Sequence, residues 1–143
     1  MNKIIPVVIA IIHKGDRFLL TERKGNDPDD PPGGGRVWHF PGGALEFGEE
    51  LQSALKREIK EELNVAIDIE YQLPQIFSEV RPHWHGLLIP YSCSIIGKED
   101  VTLNTESFQF MWLTYEEIAT RHTLPHTMAM LNLSGQCALK PLR

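Results

Sequence analysis

The segment of residues 49–63 carries a helical period, and part of its charge lies on the side that the period reserves for the core. Projected down a helix axis with Leu51 at zero, Ala54, Leu55 and Ile59 complete an apolar stripe about 140° wide. Ser53, Lys56, Arg57 and Lys60 fall opposite it, as on any surface helix. The acids do not follow them: Glu58 projects at about 340° and Glu62 at about 20°, in or beside the stripe, with Glu61 near about 280°. The flanking sequence reads as strands, with this one long helix inserted among them. The expected class is mixed α and β.

An unpaired carboxylate is expensive to bury, and three on two turns repel one another. The spacing i, i+3, i+4 lets Glu58, Glu61 and Glu62 reach a common point. A bound cation resolves both difficulties. All-oxygen donors select a hard ion such as Mg²⁺ or Mn²⁺ over Zn²⁺. The competing explanation is a solvated acidic face partnered by Arg57 and Lys60, and the phase of Glu58 and Glu62 argues against it.

Around the helix, residues 4–12 read as a buried strand rich in Ile and Val, with a turn at Lys14-Gly15-Asp16 and a hairpin partner over 17–21. Residues 25–36 hold a Pro- and Gly-rich loop, either a binding loop or a surface insertion. A short strand over 37–40 leads to a sharp turn at Pro41-Gly42-Gly43. Strands are expected over 65–80 and 87–96, joined by a loop that carries His83 and His85, and again over 108–113. Thr114-Tyr115-Glu116-Glu117 has the spacing of a capping box and opens a short helix. A further helix follows Pro125 and ends near Gly135.

No linker or repeat divides the 143 residues, and one domain over 1–143 is expected. The net charge of -5 supplies no basic footprint, so a nucleic-acid polymer is not an expected partner. The apolar run at 4–12 is too short to span a bilayer and no small-residue cleavage site follows it. With two cysteines, Cys93 and Cys137, read as free thiols, a cytoplasmic location is expected. His83 and His85 lack further ligands nearby in sequence, so zinc is disfavoured.

Residues 43–65 resemble the Nudix box. That pattern is Gly, five residues, Glu, seven residues, then Arg-Glu-U-x-Glu-Glu-x-Gly-U, with U aliphatic. Gly43, Glu49, Arg57, Glu58, Ile59, Glu61, Glu62 and Val65 match it, and Asn64 replaces the final Gly. Asn is the next best residue in a left-handed helix-ending conformation, so the helix should still end there. The resemblance implies a MutT-like hydrolase with an α/β/α sandwich, a mixed sheet and the box helix packed on it. It implies hydrolysis of a nucleoside diphosphate linked to another group, with Mg²⁺ or Mn²⁺. Carried over by position, Glu58, Glu61 and Glu62 are metal ligands, the Gly42 carbonyl is another, Arg57 orients the glutamates, and Glu49 supports them. Glu106 resembles a distant glutamate that binds a second metal or acts as base. Chemically, a divalent ion neutralises the pyrophosphate and acidifies water, and Glu58, Glu61, Glu62 and Glu106 are the candidate bases.

The box surroundings resemble most closely the branch that acts on nucleoside triphosphates. The alternatives are an ADP-ribose or nucleotide-sugar pyrophosphatase, and a non-catalytic nucleotide sensor. Arg23 stands where related enzymes contact phosphate, though a strand-end charge is an equal reading. Phe40, Phe47, Trp38 and Trp84 are candidates to stack on a base, or else core residues. The expected partner is a small-molecule nucleotide. Many relatives are homodimers, and the sequence does not mark an interface.

Overall fold

The computed structural model describes residues 2–25 and 35–139. Its elements are β1 (Ile4–Lys14), β2 (Arg17–Gly25), β3 (Gly35–His39), β4 (Gly42–Ala44), α1 (Leu51–Leu63), β5 (Ala66–Gln72), β6 (Phe77–Arg81), β7 (Trp84–Ile96), β8 (Ser107–Thr114), α2 (Tyr115–Ala119) and α3 (Thr127–Leu139).

β1 is central. It runs parallel to β7 from Ile4–His85 to Ile12–Cys93, and both of its faces are covered, which accounts for its uninterrupted apolar run. Val8, Ala10 and Ile12 face α1, where they meet Ala54, Leu55, Ile59 and Leu63. Ile9 and Ile11 belong to the opposite layer with Leu20, Leu113, Ile118 of α2, and Met130 and Leu131 of α3. The result is an α/β/α sandwich on a mixed sheet, with the 51–63 helix packed on one face.

The sheet forks beside β1. β1 and β2 pair only at their hairpin end, through His13–Phe18 and Lys14–Arg17. Beyond that point β2 leaves with β3 and β8. The vacated edge of β1 is taken by β4, with Val7 opposite Ala44, Val8 opposite Gly43 and Ile9 opposite Gly42. The chain crosses the fork at Pro41, whose carbonyl accepts the Ala10 N–H at 2.9 Å.

Several boundaries differ from expectation. The segment 65–80 is two strands, β5 and β6, lying end to end along β7. The break falls at Pro74, which has no N–H for the ladder. The link between β6 and β7 is a tight turn at Pro82-His83, so His85 lies within β7. Gly42 and Gly43 lie in a short strand instead of a turn. β2 runs on through Glu22-Arg23-Lys24, because β3 and β8 pair with it on its two edges. α1 begins at Leu51 and α3 continues past Gly135 to Leu139. As expected, Asn64 ends α1 in the left-handed region (φ 57°), and Thr114 and Glu117 form a reciprocal capping box. The loop expected at 25–36 lies largely outside the described residues, as does the side chain of Cys137. Cys93 is a buried free thiol. Among the described residues no helix is long and apolar enough to cross a membrane.

Candidate active site

β4 forms a floor beneath the acids of α1, and its two glycines are there because nothing larger fits. A Cβ on Gly42 would lie 2.1 Å from the Val8 carbonyl oxygen. A Cβ on Gly43 would lie 2.3 Å from the carboxyl carbon of Glu58, which therefore rests directly on the Gly43 backbone. The Gly42 N–H donates to Glu62 Oε2 at 3.3 Å.

Arg57 organises the other side. Its Nε and Nη2 donate to the two oxygens of Glu49 at 2.6 and 2.9 Å, a bidentate clamp. Nη1 donates to Glu58 at 3.0 Å and to Glu61 at 3.3 Å, and Nη2 reaches the Ala44 carbonyl at 3.2 Å. Glu49 also accepts the Glu46 N–H at 3.0 Å. One guanidinium thus ties the loop before α1, the floor and two helix acids together. These bonds hold the Glu49 carboxyl down at about 2, with Arg57 the main cause.

Glu106 arrives through the end of α1. The last carbonyls of the helix lack intrahelical partners. Leu63 O accepts from Thr102 N at 3.0 Å, and Glu62 O from Asn104 N at 3.2 Å. Asn104 Oδ1 in turn accepts the Glu106 N–H at 3.0 Å. The loop after β7 is thereby docked on the helix terminus, and Glu106 comes to line the same cavity as Glu62 and Gly42.

The electrostatics follow from this crowding. Glu62 is only 3% exposed. Burial pushes its carboxyl up to about 8; the Gly42 N–H opposes the shift, and the negative charges of Glu106 and Glu58 add to it. Glu58 is also raised, first by burial, against the pull of Arg57. Among the described residues no three His, Cys, Asp or Glu side chains are grouped so that they could hold a metal ion as they stand. The donor set nonetheless fits a hard divalent cation. It is all oxygen, and it holds a buried carboxylate that keeps its proton at neutral pH unless positive charge replaces it.

Two cavities meet at this point. The larger, about 430 Å³, is lined by Arg23, Lys24, His39, Gly42, Glu62 and Glu106, with Thr105 and Ser107. The smaller, about 240 Å³, shares Arg23, His39 and Gly42, and extends to Phe40, Glu79, Arg81, Trp84, Leu88 and Met130. His39, at the junction, is held neutral, its pKa lowered to about 3 by burial and then by the charges of Arg23 and Arg81.

The residues expected from sequence divide accordingly. Gly42, Glu62 and Glu106 line one cavity, and Arg57 ties Glu58 and Glu61 at the floor beside it, with the Glu61 side chain largely exposed. Arg23 stands at the junction. Phe40 and Trp84 line the smaller cavity, and Trp38 is in the core. Phe47 does not join them: its side chain is fully exposed and lines neither cavity. His83 and His85 line a groove by the N-terminal end of β1 that adjoins the smaller cavity through Arg81 and Trp84. Glu79, Arg81 and His39 were not expected in the site. Glu79 could have been found, because it shares the buried phase of Phe77 in β6.

Comparison with known proteins agrees with this geometry. The NUDIX domain sequence profile matches residues 3–131. The chain is 30% identical to the nucleoside triphosphatase NudI of Enterobacter sp. (strain 638), over 80% of this chain and 84% of that protein. It is 27% identical to the NAD-capped RNA hydrolase NudC of Deinococcus radiodurans over 95% of this chain, and it spans about half (49%) of that relative's length. Among solved structures, a NUDIX hydrolase from Nitrosomonas europaea superposes with a TM-score of 0.79 at 25% identity, covering 98% of this chain and 94% of that one. A MutT protein from Methanosarcina mazei superposes with a TM-score of 0.80 at 21% identity, covering 97% and 98%. With the matched profile running through fork, floor and acid helix alike, the chain belongs to the NUDIX domain family and is one of its hydrolases.

Proposed function

We propose that this chain is a divalent-cation-dependent pyrophosphohydrolase that converts a nucleoside triphosphate to a nucleoside monophosphate and pyrophosphate, acting as one domain over residues 1–143. The observation that carries this reading is Glu62: a carboxyl 3% exposed, bonded to Gly42, lining a cavity together with Glu106 and Arg23. Glu58, Glu61, Glu62 and Glu106, with the Gly42 carbonyl, are the oxygens that would hold Mg²⁺ or Mn²⁺; the ion, when bound, neutralises the phosphate charge and acidifies water. Arg57 keeps Glu58 and Glu61 in place by pairing with both and with Glu49. A carboxylate of the set takes the proton of the attacking water. Arg23, at the junction of the cavities, contacts phosphate while the smaller cavity takes the nucleoside. The likeness to a nucleoside triphosphatase at 30% identity supports the choice of substrate class. We place the protein in the cytoplasm, in keeping with the free thiol of Cys93.

Product analysis tests the reading. With Mg²⁺ and a panel of nucleoside triphosphates, ADP-ribose and nucleotide sugars, the expected products are pyrophosphate and a nucleoside monophosphate from a triphosphate. AMP with ribose phosphate, from ADP-ribose alone, would move the assignment to nucleoside diphosphate conjugates. Nucleotide binding with no turnover of any compound would support a sensor instead.

A further inference from the structure

Glu79 has no part in the phosphate chemistry, yet it is only 5% exposed and lines the smaller cavity. The β6–β7 hairpin explains how it is held. Glu79 pairs across to Gly86, and Arg81 to Trp84. Alternate residues share a face of the sheet, so Glu79, Arg81, Trp84 and Gly86 stand on one side. Gly86 offers no side chain, and the Trp84 ring lies down over it: a Cβ there would be 2.1 Å from the ring. The Arg81 guanidinium sits 4.8 Å from the Trp84 ring centroid, a cation–π contact. Arg81 Nη2 pairs in turn with Glu79 Oε2. Trp84 therefore braces Arg81, and Arg81 fixes Glu79.

A carboxylate held in this way has acceptor capacity left on its other oxygen and no hydrogen to donate. The cavity around it has room for roughly eight waters by liquid volume, or one heterocyclic base, between apolar walls such as Ile9, Phe40 and Leu88. Polar and charged groups, Arg23, His39, Glu79 and Arg81, converge there between the apolar walls, as polar groups do in a small-molecule site. The cavity also adjoins the acid-lined one through Arg23 and His39. A nucleotide whose phosphates lie beside Glu62 would extend its base towards Glu79.

We propose that Glu79, aligned by Arg81 and Trp84, is the specificity-determining residue of this site and accepts a hydrogen bond from the exocyclic amino group of a nucleobase. Amino-bearing bases are then preferred over counterparts with a carbonyl or a hydrogen at that position, which offer the carboxylate no donor there. Arg81 and Trp84 are positioning residues. The inference deepens the nucleotide reading above and rests on it for the substrate class.

The test compares kcat/KM within three pairs, CTP and UTP, ATP and ITP, GTP and ITP. A parallel arm measures thermal stabilisation of the metal-free protein by CMP, UMP, AMP, GMP and IMP. Wild type should favour the amino member of at least one pair by about tenfold or more, because a site built to pair with a substrate group rejects the analogue lacking it. In Glu79→Gln that preference should vanish or invert, since Arg81 claims the one amide oxygen and leaves the NH₂ towards the base. Arg81→Lys should reduce the same ratio, whereas a purely structural role for Arg81 would lower stability and leave the ratio intact. Wild-type ratios near one in all three pairs overturn the inference, as does a preference that survives Glu79→Gln. Should no triphosphate turn over, the triphosphate reading fails, and the monophosphate arm still decides: an amino preference that Glu79→Gln abolishes upholds the role of Glu79, and equal stabilisation, or a preference the variant keeps, refutes it. If Glu79→Gln does not fold, Arg81→Lys decides in its place, and an unchanged ratio in a folded Arg81→Lys protein overturns the inference.

Discussion

Glu62 ties the stability of the fold to pH. Its carboxyl titrates near 8 in the fold and near 4.5 when exposed. Between those values the folded protein binds the extra proton, so without divalent cations stability falls as pH rises from 4.5 to about 8. Glu62→Gln should remove that slope and stabilise the metal-free protein at pH values above 8, as thermal melts across pH would show. A slope unchanged in the variant would contradict the assignment. Gly43→Ala, with its new Cβ 2.3 Å from the Glu58 carboxyl, should displace that group and cost turnover on the order of 100-fold, as misplaced catalytic groups do. Near-wild-type kinetics would mean that Glu58 need not lie on the floor. At this scale the sequence was informative where a residue broke a period. Glu58 and Glu62 stood out because they occupied the apolar phase of a helix. Glu79 gave the same kind of signal in the strand period, but reading 65–80 as one strand hid it. Phe47 could not be placed, since aromatic character in a loop does not say which way the ring points.

At the scale of elements, α1 is fixed at both ends by features outside itself. At its start Glu50 makes no side-chain cap, and Arg57 clamps Glu49 and the Ala44 carbonyl instead. Arg57→Lys cannot reproduce the planar fork. The Glu49 carboxyl should then rise from about 2 towards its ordinary 4.5, measurable by carbon NMR titration; a Glu49 pKa unmoved by the substitution would remove Arg57 as the cause. At its end, Asn64 takes φ 57°. Asn64→Ala should cost about 1 kcal/mol by denaturant melt, while Asn64→Gly should be neutral or stabilising. Equal losses would mean that the left-handed turn is not what Asn64 supplies. The helix, its Asn stop and the capping box at Thr114 were legible because each is local. β4 was not: Gly42 and Gly43 have no strand propensity, and they become a strand only because β2 leaves the edge of β1 open.

For the whole molecule, what counts is that the sheet divides. The fork beside β1 makes room for the glycine floor, and the loop after β7, docked on the end of α1, closes the acid-lined cavity with Glu106. No local pattern in the sequence encodes that divergence, because pairing partners are chosen over long range. Two groups with opposite demands now share the site. His39, lowered to about 3, is neutral in the fold and protonated when unfolded below about 6.5, so its contribution rises with pH over that interval. Glu62 acts in the opposite sense up to about 8. A cation that replaces the Glu62 proton should therefore stabilise more strongly at alkaline than at mildly acidic pH. Melts with and without Mg²⁺ should show a larger shift at pH about 8 than at pH about 6, and equal shifts would argue that the ion does not bind at Glu62. The most direct test of the central claim is the rate at which Glu62→Gln hydrolyses a nucleoside triphosphate in saturating Mg²⁺, beside wild type under the same conditions. Loss of turnover by about 100-fold or more in a protein that stays folded is the expected result. Undiminished turnover would show that the buried carboxylate lies beside the chemistry without taking part in it.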